Sequence, residues 1–321
     1  MSAMHHGHAH GHAHGHSHGA LTQAAAIASV ATALFLIALK TFAAADTGSV
    51  AMLGSLADTG LDFLASLVTL FGVRVAARPA DWDHRFGHGK AEALAALAQV
   101  VLITVSALAI TWRAVVRLQT DQVAADPEHG IVVSLIAMAA TLILLAYQRR
   151  VISRTGSVAI ETDHLHYKSD LLLNLSVITA LVLESYMGVL GADPVLGILI
   201  AAWLIWSAWR ASSRAIDQLM DKEWAPEKRR RLAELVDAHP ASLGLHDLRT
   251  RSSGDRDIAQ FHLWLRADMT VTQAHDVMDE IEERLQREFP GLELLIHPDP
   301  EGHVDREGHL PRTLTERRET A

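Results

Sequence analysis

Apolar residues are bunched along this chain. Between Leu21 and Leu219 they form long blocks, and from Asp221 onward charged residues replace them. A helix that crosses the hydrocarbon of a bilayer needs about 20 mostly apolar residues. Six stretches have that length, with approximate ends at Leu21–Ala45, Gly48–Val75, Glu92–Leu118, Ile131–Gln148, His164–Leu190 and Pro194–Ile216. Some carry polar residues that lower a simple hydropathy score. A soluble helical bundle does not fit, because a soluble helix keeps a polar face and Ile131–Ala146 has almost none.

Lysine and arginine in short loops favour the cytoplasmic side. Arg74, Arg78, Arg85 and Lys90 lie between the second and third blocks, Arg149, Arg150 and Arg154 between the fourth and fifth, and Arg210 and Arg214 end the sixth. The alternate loops Asp46–Thr47, Asp121–Gly130 and Gly191–Asp193 have neither residue, and only Arg113 and Arg117 dissent. Both termini are therefore expected in the cytoplasm.

After Asp221 the pattern becomes that of a small α/β domain. Pro226 opens a helix bearing Leu232, Leu235 and Val236. Strand-like runs Leu243–Arg251 and Ile258–Arg266 flank Ser252-Ser253-Gly254-Asp255, a hairpin signal. Ala274, Val277, Met278, Ile281 and Leu285 fall at helical spacing in Thr272–Glu288, and Leu292–His297 makes a last strand. The expected organisation is a tail over 1–20, a six-helix transmembrane domain over 21–220, a cytoplasmic α/β domain over 221–300 and a disordered polar tail over 301–321.

Composition narrows the chemistry. The net charge of −9 points away from nucleic acid as a partner, and the chain has no cysteine. Disulfides and thiolate metal sites are thereby excluded, which leaves imidazole and carboxylate as metal ligands. The first 20 residues have no apolar core and do not read as a cleaved signal peptide. They hold eight histidines (His5, His6, His8, His10, His12, His14, His16 and His18) among glycine and alanine. Such a segment forms no core but chelates metal weakly. We expect a native metal-collecting tail, since purification tags usually run unbroken.

Two pairs of polar residues stand inside the apolar blocks. Asp58 and Asp62 share a face of the second, and His166 and Asp170 share a face of the fifth, each by a spacing of four. Asp163 and Asn174 extend the fifth block's stripe. A carboxylate at bilayer depth costs roughly 2.5–3.5 kcal/mol on insertion scales. A dication, or protons in its absence, relieves that cost. Three carboxylates and an imidazole make a tetrahedral shell of the kind zinc accepts, so Asp58, Asp62, His166 and Asp170 are expected to converge on one metal. Such ligands bind metal only when deprotonated, which couples metal to proton movement. No phosphate-binding Gly-x-x-x-x-Gly-Lys-Ser/Thr loop appears, and no His-Glu-x-x-His of a zinc protease.

With the Asp58/Asp62 and His166–Asp170 pairs, Gly48-Ser49-Val50, Phe86-Gly87-His88-Gly89-Lys90 and His246-Asp247-Leu248-Arg249-Thr250, the chain resembles the cation diffusion facilitator family, especially its bacterial zinc and ferrous-iron efflux branch. The likeness runs from about Leu21 to Pro300. It implies a homodimer in the bacterial inner membrane, alternating access, the aspartate–histidine quartet as transport site and a metallochaperone-like αββαβ cytoplasmic domain. A histidine in the quartet goes with zinc, cadmium or ferrous iron in that family. Position by position it adds a loop site at Asp81, His84 and His88, where Asp83 is an alternative to Asp81. It also adds a Lys90–Asp221 salt bridge and a cytoplasmic binuclear site at His246, His262, His275, His297 and Asp299. The rival function is a membrane-anchored metal sensor or store that binds without transport. In both cases divalent metal is substrate or regulatory ligand, and no organic cofactor is expected.

Overall fold

The computed structural model describes residues 15–47, 50–119, 131–187, 191–254 and 256–303. Eight helices and three strands run α1 (Gly15–Thr47), α2 (Val50–Ala76), α3 (Ala91–Gln119), α4 (Ile131–Thr155), α5 (Val158–Met187), α6 (Ala192–Leu219), α7 (Pro226–Asp237), β1 (Leu245–Ser253), β2 (Arg256–Leu265), α8 (Val271–Glu288) and β3 (Glu293–Pro300). They fall into two compact units that divide between Leu219 and Met220. Gly48 and Ser49 of the motif, Asp255, the tail histidines up to His14 and residues 304–321 lie outside the described residues. Helix α1 takes in the end of the histidine-rich stretch.

The first unit is a membrane bundle. Among the described residues, α1, α2, α3, α4 and α6 are long and apolar enough to cross a membrane. The expected fifth span, α5, has the length but not that apolarity, because Glu161, Asp163, Lys168 and Asp170 interrupt it. It packs instead among α2, α3, α4 and α6, where its polar side chains find neighbours. Small residues let the helices close: Ala107 and Ala208 are buried in one cluster with Ile103 and Leu204 where α3 meets α6. Leu61, Phe71, Val105, Ile143 and Trp209 point outward and are exposed, an arrangement suited to lipid contact.

The start of α5 explains why the sequence pattern placed it too late. Gly156 ends α4 at φ 63°, a left-handed conformation that glycine adopts freely. Ser157 then caps α5, its Oγ 3.3 Å from the Ile160 N–H and donating to Glu92 Oε2 at 2.6 Å. The cap sets the boundary, and hydrophobic periodicity does not report it.

The second unit has the expected αββαβ order. Its sheet runs β1-β2-β3, antiparallel between β1 and β2 and parallel between β2 and β3. Val236 of α7 and Ile281 and Leu285 of α8 cover Phe261 and Leu263 of β2 to form its core. Helix α8 begins with a capping box between Thr270 and Gln273.

Candidate metal centres

The intramembrane site is built on α2 and α5. His166 Nε2 lies 3.1 Å from Asp62 Oδ1 and 3.8 Å from Asp170 Oδ2, and one ligand atom from each of the three lies within 4.8 Å of the others. His166 is buried while both aspartates are partly so. Asp170 Oδ2 is buried with no hydrogen-bond partner among the described residues. A negative oxygen left that way is costly unless a cation arrives. Asp58, one turn before Asp62, is exposed and stands outside this trio. Asn174 donates to the Asp170 carbonyl at 2.9 Å and takes no part.

Sequence reading missed Lys40. Its ammonium donates to Ser55 O at 3.3 Å and Thr59 Oγ1 at 2.6 Å, and it feels the charges of Asp62, Asp170 and Asp58. A lone lysine inside an apolar block was the available signal.

The loop between α2 and α3 gathers Asp81, His84 and His88 into a second cluster. Asp81 Oδ1 is 3.2 Å from His84 Nδ1, and Asp81 Oδ2 is 3.4 Å from His88 Nε2. The same Oδ1 accepts the backbone N–H of His84 at 2.7 Å and of Asp83 at 3.0 Å. These bonds, the His84 N–H foremost, hold the Asp81 carboxyl below the usual carboxylate range. Between the two candidate carboxylates, Asp81 is the one in the cluster.

The third cluster lies across the sheet. Pairing of β1, β2 and β3 puts His246 opposite His262 and His262 opposite His297. Asp299 is buried beside them, its Oδ2 lying 3.1 Å from His246 Nε2 and 2.8 Å from His262 Nδ1, and its Oδ1 lying 3.4 Å from His297 Nε2. His246 stacks on Trp264 at 4.3 Å. His275 stands apart, exposed on α8 and 3.1 Å from Asp279. Asp247, part of the His246–Thr250 motif, lies 4.0 Å from His262 Nε2. It sits at φ 47° in the irregular pairing between His246 and Arg249. Imidazole and carboxylate donors of this kind suit zinc and its borderline neighbours.

Lys90 donates to Leu219 O at 3.1 Å, and Asp221 accepts from Arg251 at 3.4 Å, each within its own unit.

Comparison with known proteins gives a consistent result. The model for the cation efflux transmembrane domain matches residues 26–220, and that for the cation efflux protein cytoplasmic domain matches residues 224–301. The cation-efflux pump FieF of Pectobacterium atrosepticum is 41% identical over 280 residues, spanning 87% of this chain and 93% of that protein. FieF of Escherichia coli O1:K1 is 41% identical over 288 residues, spanning 90% and 96%. A solved zinc form of CzrB is 39% identical over 27% of this chain and 99% of that chain, with a TM-score of 0.25.

Proposed function

This chain belongs to the cation efflux family, and from that premise we propose that it exports zinc, with cadmium or ferrous iron as further substrates, in exchange for protons. It is a multi-pass cation efflux transporter and not an enzyme. The observation that carries the zinc reading is the position of His166 Nε2 between Asp62 Oδ1 and Asp170 Oδ2, the latter oxygen buried without a hydrogen bond. One nitrogen and several carboxylate oxygens favour zinc over harder cations. Asp58, one helical turn from Asp62, is the fourth ligand.

Protons are the counter-substrate because these ligands release them to bind metal and take them back afterwards. The transporter works as a homodimer in a bacterial inner membrane, both termini cytoplasmic, each protomer alternating between inward-open and outward-open states. The loop cluster and the cytoplasmic cluster hold further metal, and the latter ties the two cytoplasmic domains together. The exposed His275 is assigned to the same site. The histidine-rich beginning collects metal.

The test is metal flux into sealed vesicles across zinc, cadmium, iron, manganese and cobalt at two proton gradients. Zinc flux that rises with the gradient and disappears in Asp62→Ala is the expected result. Zinc binding without flux in the parent protein would mark a sensor or store instead.

A further inference from the structure

One turn before His166, α5 carries a second carboxyl that the transport site does not use. Asp163 is wholly buried. Ser29 of α1 donates to its Oδ2 at 2.6 Å and Gln148 of α4 to the same oxygen at 2.7 Å. Gln99 of α3 donates to Oδ1 at 3.0 Å, with Thr69 of α2 at 3.5 Å. One side chain of α5 thus receives neutral donors from the four helices that precede it. Gln148 also reaches Ser29 Oγ at 3.0 Å, and Gln99 bonds Thr69, so the donors are tied to one another. Both glutamines are buried and direct their amide N–H groups at this hub, while their Oε1 atoms find no partner among the described residues. The next anchor is one residue past His166. Tyr167 is buried, bonds Ser66 Oγ at 2.8 Å and donates to Ser29 O at 3.1 Å.

His166 therefore stands between two fixed points on its own helix. Asp163 sets the rotation and depth of α5 from one side and Tyr167 from the other. A rotation of α5 about its axis would carry the imbalance directly to the imidazole, because neighbouring side chains on a helix move together. Resting on the reading of Asp62, His166 and Asp170 as the cargo site, we propose that Asp163 is a positioning residue for it: its buried hub fixes the orientation of α5 that puts His166 Nε2 against Asp62. Partners behind a metal ligand typically govern about 10–100-fold in metal affinity or activity when removed.

The experiment uses the full chain in proteoliposomes and measures KM and maximal flux for zinc and for manganese. Asp163→Ala should lower zinc kcat/KM about 10–100-fold, mainly through KM. It should also lower the zinc-to-manganese ratio, because a misaligned imidazole leaves an oxygen-dominated site. Asp163→Asn should recover most of the zinc flux, since either glutamine can turn its unpartnered Oε1 toward the new amide. Ser29→Ala, which deletes a single donor, should shift the ratio in the same direction by less. The inference is overturned if Asp163→Ala leaves KM and ratio at parental values. Equal loss of zinc and manganese flux with unchanged KM overturns it too, as that is what a purely structural role gives. Should Asp163→Ala not fold, the zinc-to-manganese ratio in Ser29→Ala decides by the same criteria, because that variant removes a donor to Asp163 Oδ2 and leaves the carboxyl in place. Asp62→Ala and His166→Ala run alongside: intact zinc flux in those two would reject the cargo site itself, whereas their loss with a silent Asp163 rejects only the positioning role.

Discussion

Asp81 has its charge fixed by the backbone of its own loop. The N–H groups of His84 and Asp83 both point at its Oδ1, and the carboxyl is held below the usual range. A group whose pKa is depressed by folding stabilises the fold above its unfolded value, about 3.9 for aspartate. That contribution is lost only as pH falls through the lower folded value. Protection of the His84 and Asp83 amides from hydrogen exchange, corrected for intrinsic rates, should thus persist from pH 7 to about 4 and disappear below it. Loss of protection between pH 6 and 5 would show that another group holds the turn. At the proposed transport site, His166→Asp makes an all-oxygen set and should turn metal preference from zinc toward manganese, read as the ratio of the two fluxes. Asp62, His166 and Asp170 were legible because spacing of four marks one helix face and because charge is rare in apolar blocks. Lys40 and the hub around Asp163 were not, since their partners come from helices far away in sequence and only packing brings them together.

Close approach of helices is where single elements are most exposed to mutation. A Cβ added at Gly72 of α2 would lie 2.3 Å from Ala95 Cβ and 3.2 Å from Ala91 O on α3. Gly72→Ala must push α2 away from α3, at a cost of about 1–3 kcal/mol for overpacking. A lower midpoint of thermal unfolding in detergent, together with lower zinc flux, is the expected outcome. An unchanged midpoint would mean the two helices have slack. The helices themselves could be read from the sequence, and so could the αββαβ order, since both rest on periodicity. Their ends could not: Ser157 and Gly156 set the α4–α5 junction by capping and by a left-handed turn. The irregular pairing at Asp247 is likewise not encoded in the alternating pattern, which gives no sign of a residue forced to positive φ.

Over the whole molecule, composition shifts from apolar to charged near Asp221, and the fold divides into two compact units at Met220. Among the described residues, the membrane unit carries two metal-ligand clusters and the cytoplasmic unit one. Metal that binds only the folded form stabilises it by mass action, about 2.7 kcal/mol at a hundredfold excess over Kd. Zinc should accordingly raise the unfolding midpoint of the cytoplasmic unit in the full chain, and Asp299→Ala should abolish that rise. Zinc flux at saturating metal should survive this substitution, since the proposed transport ligands are on α2 and α5. If flux fell to the level of Asp62→Ala, the sheet cluster would belong to the transport path itself.

Helix α5 also has a consequence for biogenesis. Asp, Lys and Arg near the centre of a nascent span each disfavour translocon insertion by about 2.5–3.5 kcal/mol, and α5 carries Asp163, Lys168 and Asp170. Alone it should stay out of microsomal membranes in a glycosylation-mapping assay. Ser29, Thr69, Gln99 and Gln148 all precede Asp163 along the chain, so the ribosome delivers every donor before the acceptor that needs them.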